Sequence, residues 1–320
     1  MTTPALPDRP GTQRVVVTGA AGLVGMNLIP RLQERGFEVV AIDKDAQGAA
    51  LLHRHRPGVP VIEADLARAG GWQEALQGAD ALVVAHAQIG GNHRQAFRLN
   101  NVVATERLFE AAHAAGVTYA VQISSSVVNS RAVDLYTESK KAQEAIARGS
   151  DIPCAVLRPT LMFGPHDRKH LGWLARFMAR TPVFPVPGHG RHPRQPLYIG
   201  DFCGVVLACL EHRVADQSFS ISGLERIDFI DLMRLLREAL GLRTPIAPVP
   251  YPLFRAGLKA YGAVSRKPPF TAQQLDALVT PDLFEVIDWP GLFRVQPTPL
   301  RQALRETFSP LSRAEGGVWA

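Results

Sequence analysis

Up to Leu240 the chain alternates short apolar runs with amphipathic stretches. Val15, Val16 and Val17 form a β-branched run that reads as a buried strand. Gly19, Gly22 and Gly25 follow, and then Leu28, Ile29 and Leu32 recur at helical spacing. Glu38–Asp43 reads as a second strand, Val59–Glu63 as a third, Ala81–Ala85 as a fourth and Tyr119–Ile123 as a fifth. Between the last two, Asn101–Ala115 has an amphipathic pattern with Val102, Leu108 and Phe109 at core positions. A further helix starts at Tyr136, Tyr198–Leu210 reads as a strand and an apolar helix, and Asp228–Leu240 is a clear amphipathic helix. Strands alternating with helices predict an α/β, doubly wound parallel sheet whose ligand lies at the C-terminal strand ends. Beyond Leu240 come a proline-rich stretch, Pro245–Pro252, and a mixed apolar tail in which Trp289, Leu292 and Phe293 read as core. These are expected to build a smaller C-terminal substrate-binding domain.

Composition narrows the class. Over 320 residues, 46% hydrophobic and 20% charged content is that of a soluble globular chain of one or two domains. No apolar run reaches the roughly 18 residues of a membrane span, so no membrane insertion is expected. The first dozen residues carry prolines, Asp8 and Arg9 around no apolar centre, which reads as a loose tail and not a secretory signal. Cys154, Cys203 and Cys209 show no metal spacing and leave one thiol over in any disulfide scheme; a reducing cytoplasm fits them. The net charge is +6, but the basic residues form no single run and aromatics are 7%, so an anionic small ligand is favoured over nucleic acid.

The candidate chemistry gathers at the strand ends. A strand, a glycine turn and a helix bring backbone N–H groups and a positive helix end to one spot, which suits a pyrophosphate. Gly19 takes the turn, Gly22 lets the phosphate approach and Gly25 lets helix and strand pack closely. Asp43, about 20 residues on, can accept from ribose hydroxyls and repels a 2′-phosphate, so it argues for NAD over NADP. Lys44, Arg54 and Arg56 pull the other way. Asp65, His86 and Ser124–Ser126 fall at the same sheet edge. Tyr136 and Lys140, four apart on a helix, share a face; an ammonium beside a phenol is expected to lower its pKa and make it an acid or base near neutrality.

These residues resemble the extended short-chain dehydrogenase/reductases, the NAD-dependent epimerase/dehydratase group. The resemblance rests on TGAAGLVG at Thr18–Gly25, Asp43, Asp65-Leu66, NVVATERLFEAA at Asn101–Ala112, ISSS at Ile123–Ser126 and YTESK at Tyr136–Lys140. LRPTLMFGP at Leu157–Pro165, RQPLYIGD at Arg194–Asp201 and FSISG at Phe219–Gly223 continue it. It implies a Rossmann-type NAD-binding domain over 12–163 and 196–222, a substrate-binding domain over 164–195 and 223–310, and flexible tails at 1–11 and 312–320. It implies catalytic Ser126, Tyr136 and Lys140, with Tyr136 as acid/base, Lys140 holding the ribose and tuning Tyr136, and Ser126 polarising the reacting oxygen; counting from the strand favours Ser126, with Ser125 as the one-residue alternative. The dinucleotide is expected against Gly19, Ala21, Gly22, Leu23, Val24, Gly25, Asp43, Asp65, Leu66, Ala85, His86, Ala87, Ser124, Tyr136, Lys140 and Pro159. Arg194 matches the family arginine on a nucleotide diphosphate, and Asn101–Ala115 with Thr137–Arg148 would form the faces of a homodimer.

Three departures bear on the substrate. Leu161 stands where sugar-nucleotide members have an asparagine, only ten positions separate Ser126 from Tyr136, and Ala85-His86-Ala87 replaces the common H-x-A-A. The leading expectation is an epimerase, dehydratase or keto-reductase of a nucleotide sugar. Its alternatives are a reductase or dehydrogenase of a non-nucleotide carbonyl or alcohol, and a non-catalytic NAD(P)-binding scaffold. The segment Phe163–Gln195 carries Arg168, Lys169, Arg176, Arg180, Arg191 and Arg194 against the single acid Asp167, as a phosphate clamp or a solvated loop. His166, Asp167 and His170 lack a third clear ligand outside themselves, and no metal is expected.

Overall fold

The computed structural model describes residues 13–91, 93–130, 134–264 and 284–309. The tails expected at 1–11 and 312–320 fall outside the described residues. β1 (Arg14–Thr18) lies between β2 (Glu38–Asp43) and β4 (Ala81–Val84), and β2 pairs onward with β3 (Val61–Glu63). On the other side β4 leads through β5 (Ala120–Ile123) and β6 (Cys154–Pro159) to the edge strand Gln217–Ile221. All seven strands run parallel, and the order reverses at the β1–β4 boundary, where doubly wound sheets open a crevice for ligands.

The apolar runs form these strands because both faces are covered. Val15, Val16 and Val17 are fully buried, as are Leu82, Val83 and Val84. On one face Val16, Val40, Leu82 and Val156 meet Trp72, Leu108, Phe109 and Ala112 in a single core. α1 (Leu23–Glu34) buries Val24, Met26, Leu28, Ile29 and Leu32 and lies against the apolar helix Ile199–His212. α2 (Ala46–His55) leaves His53 and His55 in solvent.

The amphipathic stretch at Asn101–Ala115 is not one regular helix. α3 (Arg94–Phe97) passes into a π-helical turn, Arg98–Val103, and only then into α4 (Ala104–Ala114). A π turn adds a residue to the helical repeat and rotates the positions around it. Asn101 is therefore buried while Val102, expected in the core, is only partly covered.

The described residues up to Thr160, with Ile199–Ile221 and Ile287–Pro297, make one compact unit; those of Leu161–Tyr198, Ser222–Val286 and Thr298 onward make another. In the first, Phe293 meets Phe219 edge-on at 5.1 Å and Trp289 is buried. Leu292 is 57% exposed, against the expectation that it is core; the short helix Trp289–Phe293 turns that position outward. In the second, helices Leu171–Arg180, Phe229–Ala239 and Leu300–Phe308 share a core of Met178, Leu232, Leu236, Leu304 and Phe308. The proline-rich stretch supplies the strand Ile246–Val249, paired with Phe184–Pro187.

Gly25 shows how closely α1 is held: a Cβ there would lie 2.3 Å from the carbonyl oxygen of Ala20, a backbone atom that cannot turn aside. Gly25→Ala is expected to destabilise the fold by about 1–3 kcal/mol, the usual range for overpacking a tight site. Gly257→Ala, in the helix Tyr251–Val264 where no heavy atom lies within 4 Å of an added Cβ, is the control for replacing a helical glycine alone. Equal loss in the two variants by thermal melting would remove the packing explanation.

Candidate active site

The glycine turn is set by backbone contact. Gly19 has φ +63, and a Cβ on it would sit 2.6 Å from the His86 nitrogen and 2.7 Å from the Ala85 carbonyl carbon. β1 and the segment Ala85–Ala87 after β4 thus approach main chain to main chain, with Ala85 N–H donating to Thr18 O at 3.2 Å. Gly22 is exposed and an added Cβ would meet only Gly19 O, at 3.1 Å. No side chain caps α1 and no acid stands in its first turn, so the N–H groups of Leu23, Val24 and Gly25 keep their positive field. This cradle fits a dinucleotide pyrophosphate, since any side chain at Gly22 would stand in the space above the helix end.

Beside it, the Asp43 carboxylate accepts from Ala21 N–H at 2.8 Å and from Asp45 N–H at 2.9 Å. The acid is therefore fixed against the glycine turn, the place a ribose diol needs it. Lys44 donates to Asn100 Oδ1 at 2.6 Å. Arg54 and Arg56 are exposed at the opposite end of α2 from Asp43; ten residues at 1.5 Å rise put them roughly 15 Å along the helix. Asp65 caps its own turn through Ala67 N–H at 3.1 Å, and Leu66 is core.

α5 (Leu135–Arg148) begins at Asp134, whose side chain accepts from Thr137 N–H at 2.8 Å, and carries Tyr136 half-buried and Lys140 buried. Lys140 Nζ donates to Ile123 O at 2.8 Å and to Gln143 Oε1 at 2.5 Å. Gln143 Nε2 donates to Thr105 Oγ1 at 2.9 Å and to His86 O at 3.3 Å. The His86 ring is bonded at both nitrogens, Nδ1 to Thr18 Oγ1 at 2.9 Å and Nε2 to Thr105 Oγ1 at 3.1 Å. Asn101, turned inward by the π turn, donates to Ser139 Oγ at 2.8 Å, and Ser139 donates to Tyr136 O at 2.8 Å. One polar set thus runs from the glycine strand to the helix of Tyr136 and Lys140.

The three serines divide. Ser124 donates to Glu144 Oε2 at 2.9 Å, and Glu144 is also gripped by both sides of the Arg158 guanidinium. Burial alone would raise the Glu144 carboxyl, but the Arg158 and Ser124 hydrogen bonds and the nearby arginines hold it below its usual range. Ser125 hydrogen-bonds the Tyr136 phenol. Ser126 is buried in the short 3₁₀ turn Ser126–Asn129 that follows β5. Pro159 is buried at the end of β6 opposite Ile221.

The electrostatics correct one expectation. The Tyr136 phenol lies above its ordinary pKa: burial raises it, the Ser125 hydrogen bond opposes this, and Asp134 adds to the rise. Burial outweighs the groups that favour the phenolate in this arrangement, and Lys140 is not among those that offset it. Burial brings Lys140 itself down to about 7, with Glu144 acting against the fall. His86 drops to about 3, through loss of water and then through Lys140 and Lys44.

The profile of the NAD dependent epimerase/dehydratase family matches residues 15–222, well over half of the chain. The chain belongs to this family. A 3 beta-hydroxysteroid dehydrogenase/Delta 5-->4-isomerase of Mycobacterium tuberculosis is 27% identical over 305 residues, covering 85% of this chain and 81% of the relative. A UDP-glucose 4-epimerase of Vibrio cholerae is 23% identical over 287 residues, covering 80% and 84%. Among solved structures, the UDP-glucuronic acid 4-epimerase of Bacillus cereus in complex with NAD superposes with a TM-score of 0.72 at 18% identity, over 96% of this chain and 100% of that one. The protein is thus an enzyme of the NAD-dependent epimerase/dehydratase family with that family's fold.

In the second unit, Arg194 is buried on the short strand Pro193–Arg194, antiparallel to Ile227–Asp228, and donates to Pro193 O at 3.0 Å. Asp167 spends its carboxylate on the N–H groups of Lys169, His170 and Gly172, at 2.9 to 3.0 Å, and so starts a helix. Among the described residues no three His, Cys, Asp or Glu side chains are disposed to hold a metal. Thr105, Asn101 and Gln143 carry no reading in the sequence, whereas Ser125 stands there as the one-residue alternative to Ser126. Gln143 carries a signal, since it lies three residues after Lys140 and so shares its face of the helix. Asn101 carries none, because no local pattern announces the π turn.

His86 generates a pH prediction. The unfolded chain takes up a proton near the ordinary imidazole value of 6.5, whereas folded His86 refuses it until about 3. Stability from this group is complete above 6.5 and is lost as pH falls toward 3. His86→Gln is expected to flatten the fall in melting temperature between pH 6.5 and pH 4 relative to the parent. Parallel curves would show that His86 does not titrate in this way.

Proposed function

We propose that the enzyme binds NAD and moves a hydride between its nicotinamide and a carbinol or carbonyl carbon, with Tyr136 transferring the proton. The observation that carries the reading is the connected arrangement of Tyr136, Lys140 and Ser125 with the glycine cradle of β1 and α1, all on one sheet edge. NAD, when bound, supplies the hydride acceptor or donor. Gly19, Ala21, Gly22, Leu23, Val24 and Gly25 hold its pyrophosphate, and Asp43 takes the adenosine ribose; Asp65, Leu66, Ala85, His86, Ala87, Ser124 and Pro159 complete its walls. The fixed Asp43 carboxylate, the remote Arg54 and Arg56 and the engaged Lys44 support NAD over NADP.

Tyr136 takes the substrate hydroxyl proton on oxidation and returns one on reduction. Lys140 keeps one donor beyond Ile123 O and Gln143 for the ribose, and its positive charge one turn along α5 favours the phenolate through space. Ser126 polarises the reacting oxygen, while Ser125 tunes the phenol through its hydrogen bond.

On the substrate, a nucleotide sugar is the first reading, with Arg194 on its diphosphate; the UDP-glucose 4-epimerase relative supports it. A second reading is a non-nucleotide secondary alcohol or ketone. Leu161 favours it, because an apolar side chain replaces an amide that would bond a sugar nucleotide, and the steroid dehydrogenase relative acts on such a molecule by its name.

Mass spectrometry of the ligand retained through purification is expected to find NAD. A panel of UDP-, GDP- and dTDP-sugars against 3β-hydroxysteroids then separates the substrate readings. Turnover confined to the steroids would overturn the first. Tyr136→Phe is expected to lower kcat by roughly 10²–10⁴, the range for a positioned acid–base group, with NAD affinity kept; unchanged turnover would sink the mechanism. Ser126→Ala should lower kcat without moving the pH profile. Ser125→Ala removes a bond that favours the phenolate, so its oxidation profile should rise at higher pH than the parent's. A shift in the Ser126 variant and none in the Ser125 variant would exchange the two roles.

A further inference from the structure

We propose that Gln143 is a positioning residue for Lys140, its side-chain oxygen fixing the ammonium while its amide nitrogen is anchored on Thr105 and the His86 carbonyl. The inference rests on the reading above, in which Lys140 holds the ribose and assists Tyr136.

The directions of the hydrogen bonds force the arrangement. An ammonium only donates, so the Gln143 oxygen must face Lys140 and its NH₂ must face away. That NH₂ reaches Thr105 Oγ1 at 2.9 Å and His86 O at 3.3 Å. The Thr105 hydroxyl spends its own hydrogen on Asn101 O at 2.6 Å, so toward Gln143 and His86 it accepts. His86 then donates from Nε2, and its Nδ1 accepts from the Thr18 hydroxyl, whose single hydrogen has His86 Nδ1 at 2.9 Å against Val83 O at 3.3 Å; with the hydrogen on the shorter contact the ring is a neutral imidazole. The chain of bonds runs from Thr18, beside Gly19, to the Lys140 nitrogen.

Burial explains why such a support is needed. Gln143 is fully buried and Lys140 is 2% exposed, so neither can exchange its partner for water. An unanchored glutamine has several rotamers to choose from; two bonds at its amide leave this one a single useful position. Its oxygen also favours the charged form of Lys140, against the burial that draws the group down to about 7. The other ionisable groups that bear on Lys140 are Glu144 and Tyr136 on its own helix and His86 after β4. His86 is neutral above about 3 and Tyr136 is neutral at pH 7, which leaves Glu144 and Gln143 to favour the ammonium.

The sign of each substitution follows. Gln143→Met removes the acceptor and keeps the burial, so Lys140 loses its proton at lower pH. Gln143→Glu places a negative charge there, so Lys140 keeps its proton to higher pH. A purely space-filling role would move both variants the same way or neither.

The test is an NMR titration of the Lys140 side chain in full-length, lysine-labelled protein, its signal identified by its absence in Lys140→Met. Gln143→Met is expected to lower the Lys140 midpoint by about one pH unit and Gln143→Glu to raise it by a similar amount. NAD affinity measured by calorimetry should fall several-fold more at pH 8.5 than at pH 6 in Gln143→Met. If the Met variant fails to fold, Gln143→Asn, too short to reach Lys140, takes its place with the same expected sign. Midpoints equal to the parent's in both the Glu and the Met or Asn variants would overturn the inference. That result is distinguishable from failure of the functional reading, which would appear as unchanged NAD affinity in Lys140→Met and unchanged turnover in Tyr136→Phe.

Discussion

The tightest constraint in the first unit is the backbone approach of Gly19 to Ala85 and His86. With no room for a Cβ, the ends of β1 and β4 close on each other at the point where the strand order reverses. The same approach fixes two other features. It brings Thr18 within hydrogen-bond reach of the His86 ring, and it turns the His86 carbonyl toward Gln143. A glycine selected for close packing thus sets the geometry of a polar network reaching to Lys140. Nucleotide cradle and reactive helix are parts of one rigid object.

Such a network is costly unless every member is bonded. A lysine and a glutamine withdrawn from water lose several kcal/mol of hydration each without partners, and a half-satisfied set would be worse than an apolar one. The protein meets the cost by giving each group a fixed donor or acceptor, and it keeps the imidazole neutral so that no second positive charge faces the ammonium. Glu144 is treated in the same manner on the buried side of α5, where Arg158 of β6 and Ser124 after β5 stabilise it as a carboxylate. The orientation of the α5 side chains is fixed by bonds from β5, β6, the segment after β4, the π-helical turn and α4. Preorganisation of this kind is what a proton-transfer site needs, since rotamer freedom would be spent at every turnover.

Much of this was legible in the sequence, and the illegible part has a common cause. The β-branched run at Val15–Val17, the glycine spacing and the alternation of strands with helices are local signals, and the parallel sheet follows from them. The cradle and the position of Asp43 were readable for the same reason: backbone freedom and one acid at a strand end are enough. The pairing of Lys140 was not. Its neighbour on the helix, Tyr136, is plain from spacing, but its actual partners are a backbone carbonyl of β5 and a glutamine whose orientation is decided by Thr105 and His86. The phenol's direction of shift was misread because spacing reports adjacency and says nothing of burial. Asn101 was placed in an ordinary helix because a π turn leaves no periodic trace in six residues.

His86 and Gln143 are best understood together. In place of the common H-x-A-A, this chain carries Ala85-His86-Ala87, with a buried ring that must find partners on both sides. Thr18 supplies one and Thr105 the other, but Thr105 has a single hydrogen and already gives it to Asn101 O, so it can only accept. Gln143 gains a fixed seat from that arrangement, because its NH₂ finds two acceptors that nothing else in the network uses as firmly. A histidine without the glutamine would leave the Lys140 ammonium one acceptor short in a place water does not reach, and a glutamine without the histidine would lose the order that holds it. The two residues therefore form one unit of substitution. Their common effect is on Lys140 and not on the substrate side, where Leu161 marks a separate change.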